Sequence, residues 1–308
     1  MKNIVTIILA LTTLFFAHIS YAQEDFILPE GNFETLRKDG TAFVDEAISP
    51  LTLRLNNGKF IHLAGLDIPD FDVHDPGELT ETAINILNDF LKGQEITIYQ
   101  TTSSNRGRIN RLNHHIAHIV RKDDNVWVQG MLISLGIARV RTTKYNPEMA
   151  TQMYALESLA RARKHGLWAM TDFPILSPEQ AENHIGSYQV VEGTVRSAAM
   201  RKNRVYLNFG NNWRDDFTAS ISSSNLRSFN KQGIDTQSWN GKKIRVRGWL
   251  SYRNGPYIEV DHPERFETPQ TKQSQKTNTL DGSALPNSPR KTKSKKKKSS
   301  SALPNLND

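Results

Sequence analysis

A chain of 308 residues has room for two domains of ordinary size, and the absence of cysteine excludes disulfides, thiolate metal sites, a cysteine nucleophile and a lipidated cysteine anchor. The formal net charge is +7, yet residues 272–308 hold nine basic residues against two acidic ones, so the rest of the chain is neutral. A neutral folded part must separate its charges locally, or use the tail, to meet a polyanion.

The chain opens with Lys2, an apolar run from Ile4 to Ala17, and Ser20-Tyr21-Ala22. A basic end, an apolar core and small residues before a cut after Ala22 read as a signal peptide over residues 1–22, so the mature protein is expected to be exported, periplasmic or secreted. The run is shorter than the about 20 apolar residues a membrane span takes, and an uncleaved anchor is the alternative. Residues 23–40 form a lead-in.

Strands are expected at residues 41–48, 51–55 and 59–66, the last two joined through Asn56-Asn57-Gly58, residues that accept positive φ. Asp75-Pro76-Gly77-Glu78 reads as a helix start with Asp75 as N-cap, and Leu79, Ala83, Ile86, Leu87 and Phe90 then share one face. A strand at 95–101, a polar loop at 102–111 and a strand at 114–121 follow. Next come a short helix at 127–135 closed by Gly136, a short strand at 137–141, and a long helix from Asn146-Pro147 to Gly166.

Residues 171–186, with Pro174 and Pro178, read as a linker. Five strands are expected at 188–197, 205–209, 217–221, 244–250 and 256–260, with a helix at 223–232 after the third, which is the order of an OB-fold. From residue 268 on, Ser, Lys, Thr, Asn and Pro dominate, and Ser-Ala-Leu-Pro-Asn at 283–287 recurs at 301–305 around Lys295 to Lys298. Such a tail buries too little to fold and reads as disordered. Its lysines suit anionic polymers or membrane headgroups, at about 1 kcal/mol each.

The stretch Ile61-His62-Leu63-Ala64-Gly65-Leu66-Asp67-Ile68-Pro69-Asp70 resembles the signature of staphylococcal-nuclease-like (thermonuclease) domains, Val-Arg-Leu-Ala-Gly-Ile-Asp-Ala-Pro-Glu. Residues 128–140 and 157–168 resemble the same family, and the resemblance extends over residues 41–170. It implies a mainly β, α+β architecture: a five-stranded OB-type barrel with three helices. Residues 187–267 resemble, more loosely, the small OB-like domain behind thermonuclease domains in some exported bacterial proteins.

Enzymes of that family cleave phosphodiesters with two arginines on the phosphate, a glutamate near the attacking water, and calcium held mainly by two aspartates. Carried onto this chain, the arginines fall at His62 and His114 and the glutamate at Asp70. One calcium aspartate is kept as Asp67, and the other falls at Leu51, beside the matching Thr52. Imidazole is mostly neutral at pH 7 and has no bidentate fork. Calcium affinity follows ligand charge and count, so the family's calcium site is expected to be degraded and no cofactor is expected.

Three readings of these positions stay open: histidines left after loss of catalysis, a transition-metal cluster of His62, His114, His115, Asp67 and Asp70, and His62 with His114 as an acid–base pair. In the second half Arg204, Tyr206, Phe209, Arg245, Arg247 and Trp249, in a run that also holds Trp213, Phe217, Tyr252 and Tyr257, read as a nucleic-acid-binding sheet face, against the alternative of a core with a solvated basic face. The function expected is an exported, catalytically degenerate module that binds nucleic acid, another polyanion or a protein partner in the envelope. The alternative is a working nuclease with His62 and His114 in place of the arginines.

Overall fold

The structure is a computed structural model that describes residues 28–103, 105–212 and 214–268. The expected signal peptide, the basic tail from residue 269 on and Trp213 lie outside the described residues.

The first half is built on β1 (Leu36–Ser49), a 14-residue strand that serves two neighbours. Register shifts at Lys38/Thr41, Val44/Glu46 and Ala47/Ser49 bend it, so it pairs with β5 (Glu95–Thr101) early and β2 (Thr52–Leu55) late. Such bulges let one strand turn a barrel corner. β2 passes to β3 (Phe60–Leu63) through a turn in which Gly58 takes φ +77° and Leu55 N–H donates to Lys59 O. β3 runs parallel to β6 (His115–Arg121), which returns antiparallel to β5 and closes the barrel in the order β1-β2-β3-β6-β5. Leu53, Leu55, Ile61, Leu63, Ile96 and Ile119 point inward and are buried.

Helix α1 (Glu78–Leu91) buries Leu79, Ala83 and Leu87 as its periodicity predicts, but it starts later than expected. Gly77, not Asp75, is the N-cap and supplies no side chain. The first free N–H groups are taken from outside the helix: Asp70 accepts from Leu79 N (2.7 Å) and from Thr80 N (3.0 Å) and Thr80 Oγ1 (2.8 Å). A Cβ on Gly77 would lie 2.3 Å from that carboxylate, so only glycine admits the approach. α2 (Val128–Ser134), β7 (Arg139–Val140) and α3 (Ala150–Ala162) follow, and β7 pairs with β4 (Leu66–Asp67).

The second half repeats the topology. β8 (Tyr188–Thr194) and β9 (Ser197–Arg201) are one bent strand interrupted near Val195. β9, β10 (Arg204–Asn208) and β11 (Thr218–Ile221) form a meander, α4 (Ser223–Lys231) crosses over, and β12 (Lys243–Trp249) pairs antiparallel with β8. After β13 (Ser251–Tyr252), β14 (Pro256–Val260) lies parallel to β11, as β6 lies parallel to β3. The ladder divides into a five-stranded and a three-stranded sheet, the latter joining β8, β12 and β15 (Phe266–Glu267). Each half has its own apolar core.

Residues 171–186 are packed rather than loose. Leu176 is buried and its N–H donates to Val190 O, and residues Pro178–His184 form a 3-10 helix with a Ser177/Gln180 capping box. Both halves fall in one compact unit. Their seam is ionic: Glu157 of α3, Arg247 of β12 and Glu267 of β15 form a buried network, which Arg161 joins at Glu157 and Glu267.

Candidate functional site

His62 sits half-buried in β3, where that strand pairs with β6. The parallel register that pairs Ile61 with His115 brings His114 alongside, its ring 5.1 Å from that of Phe60. Arg141, just past β7, completes the group, with its backbone N–H fixed on Gly65 O. Burial, then the positive fields of His114 and Arg141, hold the His62 imidazole below its usual pKa, so it is neutral at pH 7. The structure therefore unites His62 and His114 as expected and adds a permanent cation that the sequence reading missed.

Asp67 does not sit as a metal ligand. Its Oδ2 accepts from Arg139 Nε at 2.7 Å and its Oδ1 from Arg141 Nη1 at 3.0 Å. Both oxygens are thus committed to guanidinium groups, and Arg139 is itself buried. Asp70 is turned away to serve α1. Leu51 is buried and supplies no side-chain oxygen. Two fixed cations where calcium would sit oppose a divalent ion, so these residues do not fit the family's calcium. Among the described residues no group of three or more His, Asp or Glu side chains is placed to hold a metal, which sets aside the five-residue cluster as a metal centre.

The expected sheet face of the second half disperses. Arg247 is fully buried, its guanidinium on Glu157 and Glu267, because its face of β12 packs against α3 rather than water. Arg245 lies in the same seam, between Glu192 and Glu267. Phe209 is in the core against Phe217, with ring centroids 5.0 Å apart. Arg204 shares the outer face of β10 with Tyr206, but donates to Ser220, the Tyr257 hydroxyl and Glu259. Of the six, Trp249 is the one that stands mostly in solvent, at 57% exposed. Alternation along β12 follows the sequence pattern, with Ile244, Val246 and Gly248 on the buried face opposite Arg245 and Trp249. What covers the polar face was not legible, since a strand pattern carries no sign of a partner helix.

Three further basic residues, absent from the sites expected from sequence, lie on the segment that leads into β6. The turn holding Arg106 and Arg108 is pinned to the loop after β7 by Asn146 Nδ2 donating to Gly107 O at 2.9 Å. Arg111 lies on the hairpin closed by Asn110 N–H to His114 O.

Residues 61–170 match the family model described as staphylococcal nuclease homologue. The match begins in β3, so β1 and β2, which complete the barrel, precede it. A comparison with curated proteins finds no match. The matched span, the closed five-stranded barrel and the parallel β3–β6 pair together mean that this chain carries a staphylococcal nuclease homologue domain at residues 61–170.

Proposed function

We propose that this is an exported, catalytically degenerate nuclease-like protein that binds single-stranded nucleic acid through the group of His62, His114 and Arg141. The observation that carries the reading is the double ion pair on Asp67. It removes the carboxylate a metal would need, while Arg141, with its side chain 43% exposed, keeps part of its fork for a phosphate. Phosphate contacts from Arg141 and the basic turn supply affinity without base readout, and such binding falls steeply with salt. The neutral His62 imidazole adds a hydrogen-bonding group without charge.

The test is fluorescence anisotropy with labelled single-stranded DNA and RNA, beside a gel assay for cleavage in calcium, zinc or chelator. Binding that weakens in Arg141→Ala and His114→Ala, with no cleavage under any condition, is the expected result. A second reading keeps His62 and His114 as an acid–base pair, favoured by the neutral state of His62 next to His114. Cleavage that disappears in His62→Ala would establish that reading and sink the degenerate one. Export is checked by the N-terminus of the mature protein, expected at Gln23.

A further inference from the structure

The loop after β7, α4 and the turn after β14 line an open, solvent-facing cavity of about 480 Å³. Its walls come from both halves: Lys144 and Tyr145 from the first, Ser224, Arg227 and Ser228 from the second. We propose that this cavity takes one nucleotide of the same bound strand, with its phosphate between Lys144 and Arg227 and its base or sugar against Tyr145. The inference rests on the nucleic-acid-binding reading above and extends it to the second half.

Three observations favour a nucleotide. The volume lies in the range of small-ligand sites. The charge left after pairing is positive by one: Lys144 and Arg227 stand against Glu264, while Asp261 is paired with Arg265. Asp261 already accepts from His262 Nδ1 (2.7 Å) and pairs with Arg265, and Glu264 accepts from Gln232 Nε2 (2.7 Å). Arg227 is exposed and has no ion-pair partner among the described residues, and Lys144, which also hydrogen-bonds the Tyr145 hydroxyl, lies 5.2 Å from the Tyr145 ring centroid with no acidic partner among the described residues. Finally, the cavity is linked to basic residues of the first half. Lys144 is three residues beyond Arg141, and Arg106 hydrogen-bonds the Tyr145 hydroxyl from the turn beside His114.

The floor is rigid, as a site needs. Thr142 Oγ1 and His262 Nε2 lie 2.9 Å apart, both side chains buried, and the Tyr154 hydroxyl donates to Glu264 O. A hydroxyl- and amide-lined cavity with one aromatic wall and two cations matches the phosphate, sugar and ring of a nucleotide.

The experiment measures oligonucleotide affinity of the full chain for Lys144→Gln/Arg227→Gln and for Tyr145→Ala, with melting temperature as the folding control. Each substituted residue is surface-accessible, so melting temperatures are expected to stay at the wild-type value. For a strand of about eight nucleotides, affinity is expected to fall about tenfold in each variant, and the double glutamine variant, which frees one phosphate, to lower the salt slope by about 0.7. A dinucleotide, too short to span that group and the cavity, is expected to bind all variants like wild type. Unchanged affinity and slope for the long strand, or equal losses for the dinucleotide, overturn the cavity's role. If Arg141→Ala also leaves the long strand's affinity unchanged, the binding reading itself has failed. If Arg141→Ala alone weakens it, only the cavity's part is lost.

Discussion

Arg247 holds Glu157 with both prongs of its guanidinium, and neither side chain has any exposed surface. The pair joins β12 of one half to α3 of the other. Glu157 Oε1 also accepts from Val140 N–H at 2.9 Å, which ties the network to the strand that presents Arg139 and Arg141. Glu267 completes it. Burial alone would raise the Glu267 carboxyl, but Arg247 and Arg161 hold it at about 2. The Arg247 guanidinium is kept charged by Glu157, Tyr154 and Glu267 against its burial.

Glu157→Ala leaves Arg247 buried beside a partner it must share with Arg161, and orphans the Val140 N–H. Breaking a buried pair from one side typically costs about 3–5 kcal/mol. Urea unfolding is expected to show that loss with a single transition, because Trp127 of the first core and Trp239 of the second lie on either side of the seam. Two separated transitions in the wild-type protein would show that the halves are independent.

Acid is expected to destabilise the protein well above the carboxylate range, through His118. This ring is fully buried 5.7 Å from Trp127, its Nδ1 has no partner among the described residues, and burial depresses its pKa from 6.5 to about 3. The unfolded chain therefore binds the proton more tightly. The stabilisation is complete above about pH 6.5 and is lost as pH falls toward 3, at about 1.4 kcal/mol per pH unit. Between pH 6.5 and 5 that is about 2 kcal/mol. Asp261 and Glu267, both held at about 2, act only at lower pH. His118→Leu is expected to flatten the fall in melting temperature between pH 7 and 5, and an unchanged slope would exclude His118 as its cause.

Restoring one family aspartate with Leu51→Asp is expected not to restore calcium binding. Leu51 is buried, so an uncompensated carboxylate there costs about 2 kcal/mol or more. The neighbouring Asp67 remains held by Arg139 and Arg141. Calorimetry is expected to show no affinity tighter than millimolar in wild type or variant. Micromolar binding in either would mean that the arginines yield to the ion.

The sequence by itself determined the local features and the resemblance of residues 61–170 to the staphylococcal nuclease homologue model. Asn56-Asn57-Gly58 made its hairpin, the apolar face of α1 packed inward, and the order of strands with a helix after the third gave the same topology twice. Those features depend on neighbours within a few residues, where propensity and period act directly. It also singled out His62, Asp67 and Asp70 through the run from Ile61 to Asp70, and His114 through its place three residues before Ala117.

Tertiary structure alone decided what those side chains do. Asp70 became the cap of α1 because Gly77 admits it, nine and ten residues before the N–H groups it serves. Asp67 became half of an ion-pair cluster because β7 delivers Arg139 and Arg141, 72 and 74 residues later. Arg247 left the expected binding face for a buried seam because α3 brings Glu157 against it, 90 residues away. A charge has no periodicity that reveals its partner. Whether it meets water, a phosphate or a carboxylate is settled only when distant segments pack, since desolvation and pairing energies exceed any local preference.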